Sequence, residues 1–337
     1  MKDKVSEEHH CPICDISIIL EPVPYLDPVW SSTKMFDGLS IEFCNLCGFG
    51  YSTPELDDDS VNHFYAEIYR GIGSPFFTNF SAMSKPISHN YRSLSQLVLA
   101  RHFVQFEMGD SFVDIGPGSG ESFVSATSVL PDPKMLAVEL SDGAPAAYKD
   151  IYGVDTFDNI ENLALDVSNI KIILSSHSLE HFKLDDLQVF LINIKNALSP
   201  DGVFVAEVPH VDMRIHSQMR VGDSPHFLFF SKESLQKVLE LSGFEVLFLE
   251  SCGQKYNEWW IEQTENKQYS SLSSWFKDIL RAGFAMFPMS IKRLIKRSYT
   301  RLNVETINFD TNDFSYGGDR TCLRVVARPQ IRNKSSL

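Results

Sequence analysis

Four of the six cysteines form two Cys-x-x-Cys pairs near the start of the sequence, Cys11 with Cys14 and Cys44 with Cys47. Two intervening residues let both thiolates of a pair reach one ion from a single tight turn, and Zn²⁺ accepts four such ligands tetrahedrally. A closed four-thiolate site leaves no position for a substrate. We therefore expect structural zinc in a small module over residues 1–56, rather than four free thiols or a redox pair.

A second chemical pattern is a short apolar run that contains an acid and leads into a glycine-rich turn. The run is 111–115 with Asp114, and the turn contains Gly116 and Gly118. We predict a strand, a turn and a helix, because glycine lets the backbone pass close under a ligand and a helix N-terminus offers free amide donors. A dinucleotide fold needs a glycine where the sequence has Glu121, which disfavours a pyrophosphate. Asp114 indicates a ligand with a cationic amino group.

Three predicted strands follow the glycine turn, and polar side chains come at the end of each. The first ends at Glu139, where a carboxylate can accept both hydroxyl protons of a ribose. The second ends near Asp158, a candidate for holding an adenine edge. The third, over residues 170–174, is followed by Ser176 and His177, which we expect to close the same site.

These side chains need a scaffold in which strands and helices alternate. Further helices are predicted near 91–107, 184–198 and 231–241, and further strands over 203–208, 244–249 and 321–327. Such alternation implies a mostly parallel sheet that binds ligands at the carboxyl ends of its strands. We place a helical cap or linker at 57–105 and the main domain at 106–337, with an insertion at about 252–320.

Together these motifs resemble the class I S-adenosylmethionine-dependent methyltransferases. The resemblance rests on residues 113–120, on Glu139 and on the Leu-Glu-His segment 179–181. It implies an α/β fold with a Rossmann-like, seven-stranded, mostly parallel sheet and helices on both faces. The cysteine pairs are similar to the zinc-ribbon-like N-terminal module of bacterial methyltransferases that act on sugars and natural products.

The resemblance implies S-adenosyl-L-methionine as the methyl donor and S-adenosyl-L-homocysteine as the product. The glycine turn would lie under the methionine part, Asp114 would contact its amino group, and Glu139 would hold its ribose. An acceptor hydroxyl needs a base, and histidine has a suitable pKa. His181 is the leading candidate, with Glu180 to orient or assist it, and a packing role under the donor is the alternative.

Other aromatic side chains are weaker candidates for the same site. His210 and His226 are second choices for the base. Tyr65 and Tyr69 could cap the donor, although tyrosines four residues apart more often pack in a core.

We expect a methyltransferase (EC 2.1.1.-) for a small-molecule or glycan acceptor, with O-methylation of a sugar-type hydroxyl favoured. C- or N-methylation of a nucleotide sugar or natural product stays open. The sugar C-methyltransferases usually carry a further C-terminal Rossmann-like domain, and this sequence ends too early for one, which disfavours a carbon acceptor. Two other classes are a nicotinamide-dependent oxidoreductase, disfavoured by Glu121, and a non-catalytic zinc-ribbon interaction protein with an inert Rossmann-like domain.

The composition limits the partners. Lys and Arg total 30 against 44 Asp and Glu, and the net charge of −14 disfavours broad binding to nucleic acid. The sequence has neither a membrane-spanning apolar run nor a secretory signal, so we expect a cytoplasmic protein. Residues 275–301, within the insertion, are aromatic and basic. Peripheral membrane contact is one interpretation of them, and a substrate lid or the dimer face of a homo-oligomer is the favoured one.

Overall fold

The computed structural model describes residues 10–15, 22–71, 74, 79, 91–141, 143–264 and 314–330. The strands are β1 (Val23–Pro24), β2 (Ser40–Phe43), β3 (Gly50–Thr53), β4 (Ser111–Ile115), β5 (Lys134–Val138), β6 (Asp155–Phe157), β7 (Ile170–Ser176), β8 (Leu198–Pro209), β9 (Leu228–Phe229), β10 (Phe244–Lys255) and β11 (Arg320–Pro329). The helices are α1 (Asp58–His63), α2 (Tyr91–Ala100), α3 (Glu121–Val129), α4 (Ala144–Tyr152), α5 (Ile160–Asp166), α6 (Leu184–Ala197), α7 (Met213–His216), α8 (Lys232–Leu241) and α9 (Tyr256–Thr264). Single 3₁₀ turns lie at Ser31–Thr33, Leu179–His181 and Ser217–Met219, and a π-helical turn lies at Phe64–Ile68.

The large sheet has seven strands in the order β10-β11-β8-β7-β4-β5-β6. Six of them point in one direction, and β11 is antiparallel to both of its neighbours. The expectation of a Rossmann-like, mostly parallel sheet is confirmed. The glycine turn joins β4 to α3 at the carboxyl edge of the parallel strands, as the sequence pattern predicts.

Four strands are longer than predicted, and β8 and β10 differ most from their predicted bounds. β8 begins at Leu198, so residues 199–202, which the sequence indicates as a break, belong to the strand. A register shift against β7 absorbs them, because Ile170 pairs with Leu198 while Ile172 pairs with Val203. β10 runs past the predicted end at residue 249 because its antiparallel pairing with β11 continues as far as Lys255.

Helices cover both faces of the large sheet, because alternate side chains of each strand point to opposite sides. In β4, Phe112 packs in one apolar layer with side chains of α2, α3 and α4. Val113 and Ile115 pack in the other layer with side chains of α5, α6 and α8. α8 begins with a capping box in which the side chains of Ser231 and Ser234 bond each other's backbone N–H groups.

The N-terminal sheet is shared with the main domain. Its strand order is β1-β2-β3-β9, and β9 comes from residues far along the chain. The ring of Phe49 packs on that of Phe230 with centroids 5.7 Å apart. The predicted module at residues 1–56 therefore completes its sheet with residues 228–229.

Within the described ranges, none of the helices has the length and apolar character needed to cross a bilayer. The predicted insertion at 252–320 is described at its two ends alone, where it forms the end of β10, then α9, and the start of β11. The segment 275–301 lies outside the described residues.

Candidate active site

Five of the predicted donor-binding residues lie at the same edge of the large sheet. Asp114 is the penultimate residue of β4, and Glu139 follows β5. Asp158 follows β6, Ser176 ends β7, and His177 comes next. Because these four strands are parallel neighbours, their carboxyl ends meet at one edge. The structure thus brings these residues together around the glycine turn.

Asp114 is a buried carboxyl beneath the glycine turn. The hydroxyl of Ser122 donates a hydrogen bond to its Oδ2. Burial raises the pKa of Asp114 to about 7, and the charges of Glu139 and Glu121 act in the same direction, against the bond from Ser122. A cation next to this carboxyl would favour its ionised form. Asp114 is therefore suited to a ligand that carries an ammonium group.

The glycine turn presents backbone without side chains. Gly116 and Gly118 have φ of 67° and 57°. A Cβ on Gly116 would lie 2.8 Å from Oγ of Ser178, and this hydroxyl donates to the carbonyl of Ile115. The carbonyl of Gly118 accepts a hydrogen bond of 2.5 Å from the hydroxyl of Tyr148. Neighbouring side chains thus hold the turn in a shape that other residues would strain.

Glu139 is held in place from one side. Its Oε1 accepts hydrogen bonds from the N–H groups of Leu140 and Ser141, both at 3.1 Å, and from the hydroxyl of Ser141 at 2.8 Å. Its Oε2 lies 3.4 Å from the hydroxyl of Tyr148. A carboxylate oxygen accepts more than one hydrogen bond, so Oε2 retains capacity for ligand hydroxyls.

The two remaining strand ends differ in exposure. Asp158 is exposed, and it lies beside Glu139 because the Glu139 N–H donates to the carbonyl of Phe157 at 3.1 Å. Ser176 is half-buried, and its hydroxyl accepts a hydrogen bond of 2.9 Å from Nε2 of Gln96. Asp158 is therefore the more accessible of the two to a ligand.

His177 lies between two buried carboxylates. Its Nδ1 is 3.3 Å from Glu180, and its Nε2 is 3.4 Å from Glu207. Nε2 also lies 3.9 Å from Sγ of Cys322. Burial lowers the pKa of His177, but hydrogen bonds with Cys322, Glu180 and Glu207 outweigh it and hold the pKa well above its usual value. Both ring nitrogens of His177 are directed at carboxylates, which favours its protonated form.

Glu207 joins this edge of the sheet to its neighbours. Nη2 and Nε of Arg324 lie 2.6 Å and 2.7 Å from its Oε2, and Gln96 donates to the same oxygen at 3.0 Å. Nε of Arg92 is 3.2 Å from Oε1. The sequence analysis missed Glu207 and Arg324. The available signal was a single charged residue inside each of two otherwise apolar strands, since such residues are buried only when paired.

His181 has one ring nitrogen fixed by its surroundings. Its Nδ1 lies 2.9 Å from the hydroxyl of Tyr65 and 3.4 Å from the carbonyl of Pro225. The Tyr65 hydroxyl donates its own proton to that carbonyl at 2.8 Å. This arrangement favours the tautomer in which Nδ1 of His181 carries the proton and Nε2 is the acceptor. Burial lowers the pKa of His181, although the charge of Glu180 opposes this.

The group His177, Glu180, His181 and His226 forms what we call the histidine cluster. Glu180 is buried, and although burial raises its pKa, the neighbouring histidines lower it to about 2. The ring of His226 stands edge-on to that of His181 at 5.0 Å, and burial lowers the pKa of His226 to about 3. Glu180 is ion-paired with His177 and also acts on His181 through its charge. Its predicted role, to orient or assist His181, stays a prediction.

The remaining weak candidates, His210 and the tyrosine pair, lie in different parts of the structure. His210 belongs to a different group, where its Nδ1 faces the carbonyl of Arg320 at 3.0 Å and its ring packs on His216. Tyr65 and Tyr69 pack against each other and against His181. The tyrosine pair is thus part of the wall of the candidate site.

The sulfur atoms of Cys11, Cys14, Cys44 and Cys47 form a second group, the thiolate cluster, in which all lie within 4.8 Å of one another. Sγ of Cys11 is 3.8 Å from Sγ of Cys47, and tetrahedral Zn–S bonds of 2.3 Å require a sulfur spacing of about 3.8 Å. The N–H groups of Cys14 and Cys47 donate to Sγ of Cys11 and Cys44, both at 3.4 Å. This donor set fits Zn²⁺.

Side chains of the main domain support the thiolate cluster. Nζ of Lys237, on α8, lies 3.5 Å from Sγ of Cys14. The Ser231 hydroxyl donates to the carbonyl of Cys47 at 2.5 Å, and Nη1 of Arg214 donates to that of Leu46 at 2.6 Å. The cluster is thus attached to the start of α8 and to α7. Sequence spacing gave no signal for these long-range supports.

Residues 87–249, just under half of the chain, match the family model of a methyltransferase domain. This part of the chain is therefore similar to methyltransferase domains. No curated protein sequence matches this chain.

Solved structures similar to this chain include the [4+2]-cyclase SpnF, at 14% identity and a TM-score of 0.46, covering 82% of this chain and 98% of that one. A SAM-dependent methyltransferase from Archaeoglobus fulgidus is 16% identical, with a TM-score of 0.41 and coverage of 70% and 93%. Phosphoethanolamine N-methyltransferase 2 from Haemonchus contortus, in complex with S-adenosyl-L-methionine, is 14% identical, with a TM-score of 0.42 and coverage of 83% and 62%. At these identities and scores, the likenesses carry no argument about the reaction.

Proposed function

We propose that this chain is an S-adenosyl-L-methionine-dependent methyltransferase. The observation that carries the proposal is the position of Asp114 and Glu139 at two adjacent strand ends, with the glycine turn beside them. The buried carboxyl of Asp114 suits an ammonium group, and the pre-oriented carboxylate of Glu139 suits ribose hydroxyls. Glu121, at the first position of α3, would repel the pyrophosphate of a nicotinamide cofactor.

The proposed mechanism leaves little covalent chemistry to the protein. A bound S-adenosyl-L-methionine supplies an activated methyl group on its sulfonium, so the protein aligns the acceptor, excludes water and removes a proton. His181 is the proposed base, because burial lowers its pKa, which favours the neutral ring, and the tautomer with the proton on Nδ1 has Nε2 as the acceptor. Tyr65 holds the opposite nitrogen, and the charge of Glu180 stabilises the ring once Nε2 has taken the proton.

The acceptor we propose is a sugar-type hydroxyl on a small molecule or glycan, methylated on oxygen. A single histidine base suits a hydroxyl, whose proton must leave as the methyl group arrives. Carbon or nitrogen acceptors on a nucleotide sugar or natural product are the alternative outcomes. We propose a cytoplasmic setting and no nucleic-acid partner, supported by the net charge of −14.

For the thiolate cluster we propose structural Zn²⁺. Four sulfur ligands complete a tetrahedral shell, so the ion would hold the N-terminal residues in place.

A homo-oligomer and a peripheral membrane contact through 275–301 are secondary proposals. Sedimentation of the purified chain tests the first, and flotation with anionic vesicles tests the second, where absence of binding removes it.

Calorimetry with S-adenosyl-L-homocysteine and NAD tests the proposed function. We expect micromolar binding of S-adenosyl-L-homocysteine and no binding of NAD. Asp114→Asn should weaken this binding, while the exposed Asp186→Asn, on α6, serves as the matched control. Binding of NAD alone would support an oxidoreductase, and binding of neither ligand would support a non-catalytic interaction protein. A radiolabelled methyl donor with a panel of sugar and natural-product acceptors, followed by mass spectrometry, then identifies the methylated atom.

A further inference from the structure

Arg70 directs both ends of its guanidinium at the glycine turn. A Cβ built on Gly118 would lie 3.6 Å from Nη1 and 3.7 Å from Nη2 of Arg70. Because the two distances are nearly equal, the fork of the guanidinium faces the turn. A fork in this orientation matches the two oxygens of a carboxylate.

The segment that carries Arg70 is anchored beside the histidine cluster. The π-helical turn closes with a hydrogen bond of 2.7 Å from the N–H of Tyr69 to the carbonyl of Phe64. The ring of Tyr69 lies 5.8 Å from that of His181, and the Arg70 guanidinium lies 5.8 Å from the Tyr69 ring. π-Helical turns are frequent at functional sites, where they change the direction of the side chains that follow. The π-helical turn thus connects the tyrosines that pack against His181 to Arg70, which faces the glycine turn.

The glycine turn has two carboxyl groups, of Asp114 and Glu139, and the guanidinium of Arg70 near it. Burial is the main cause of the raised pKa of Tyr148, whose hydroxyl binds the turn, and the charges of Glu139 and Asp114 act in the same direction. The positive charge of Arg70 acts in the opposite direction. A ligand with an ammonium and a carboxylate on one carbon would place the ammonium toward Asp114. Its carboxylate would then need a cation on another side of the turn.

We propose that Arg70 binds the α-carboxylate of the methionyl part of the donor through a two-pronged ion pair. The inference rests on the proposed function and adds a recognition residue to it. It gives the predicted helical linker, residues 57–105, a direct part in donor binding. It also implies that the turn recognises both charges of an amino acid, with Asp114 for one and Arg70 for the other.

The test compares two ligands that differ by the amino-acid part. S-adenosyl-L-homocysteine carries the carboxylate, and 5′-methylthioadenosine keeps the nucleoside and the sulfur without it. We expect Arg70→Met to weaken binding of S-adenosyl-L-homocysteine about 10- to 100-fold, since hydrogen bonds between charged groups contribute this much. Affinity for 5′-methylthioadenosine should stay unchanged, and Arg70→Lys should lie between wild type and Arg70→Met.

The exposed Arg101→Met serves as the matched control, because Arg101 donates to the carbonyl of Val129 rather than facing the turn. Equal loss for both ligands, or an unchanged affinity for S-adenosyl-L-homocysteine, would overturn the role of Arg70. If Arg70→Met fails to fold, the same comparison with Arg70→Lys decides. Failure of the wild-type chain to bind S-adenosyl-L-homocysteine would instead overturn the proposed function and this inference together.

Discussion

The thiolate cluster and the histidine cluster collect reactive side chains in opposite ways. In the thiolate cluster, four identical donor atoms converge on one point, and Lys237 places its charge outside them. In the histidine cluster, His177 pairs with carboxylates on both sides, while Nε2 of His181 is left as an acceptor. Four sulfur ligands around one ion stabilise a fold. An unprotonated ring nitrogen in a hydrogen-bonded cluster can instead accept a proton from a substrate. Substitutions in the two clusters should therefore affect different properties of the protein.

The largest expected effect is on stability, from the thiolate cluster. Cys47→Ser should abolish zinc binding and lower the melting temperature by about 10 °C or more, because metal binding contributes directly to folding. Metal analysis and calorimetry measure the two effects. The matched control is Cys252→Ala, a buried thiol outside the cluster, which should keep its zinc. A Cys47→Ser protein that retains one zinc per chain would contradict the assignment.

The second effect is on rate, from the histidine cluster. With an acceptor identified in the screen, His181→Ala should lower kcat about 10²- to 10⁴-fold, because general-base catalysis contributes that much. Affinity for S-adenosyl-L-homocysteine and the melting temperature should change little in His181→Gln, which keeps more of the volume. The exposed His102→Ala is the control. If His181→Gln keeps the wild-type rate, His181 has a packing role and this contrast between the two clusters fails.

The third effect is a change of pH dependence. The charge of Glu180 raises the pKa of His181, so Glu180→Gln should lower that pKa and move the acid limb of the kcat/KM profile to lower pH. The folded-state pKa of Glu180, about 2, lies below its ordinary value of 4.5. Its stabilising contribution is therefore present above pH 4.5 and lost as the pH falls toward 2.

Acid unfolding followed by circular dichroism measures this loss of stability below pH 4.5. The Glu180→Gln variant should not show it. An acid limb that moves to higher pH in the variant would contradict the electrostatic role given to Glu180. The exposed Glu161→Gln, on α5, provides the control for a carboxylate outside the cluster.

The smallest effect comes from the rim of the thiolate cluster. Lys237→Met should weaken zinc affinity about threefold, since an ammonium group at a partly solvated rim contributes little to an ion pair. Competition with a chelating indicator measures it. Lys232→Met is the matched control on the same helix, because Lys232 pairs with Glu250 instead of a thiolate. A loss much larger than tenfold would mean that Lys237 is a major determinant of metal affinity.

The sequence predicted best what depends on neighbours along the chain. The two cysteine pairs and the strand ends with Asp114 and Glu139 are local patterns, because spacing and apolar runs determine where a turn or strand end falls. The start of β8 was not predicted, because residues 199–202 are of turn-forming types and yet belong to β8. Local propensity was overridden there by the register of the sheet.

Local sequence patterns could not predict which side chains contact each other within the candidate site. Glu207 meets Arg324 because antiparallel β11 places them opposite each other. Tyr65 reaches His181 across a separation of 116 residues. Contacts of this kind depend on the tertiary packing of several elements, and one sequence carries no periodic signal for them. The sequence therefore indicated His181 as a base candidate without indicating what holds its ring.

The pairing of β3 with β9 also has a consequence for the order of events during synthesis. The four cysteines are made before Leu228 and Phe229, and they supply all four ligands of the proposed ion. The last strand of their sheet arrives only when Leu228 and Phe229 have been made. Since chains emerge N-terminus first, the edge of β3 would stay unpaired, with the proposed ion already bound nearby, until residues 228–229 have been made. Early metal capture would then protect the nascent N-terminus while its docking surface is still being translated.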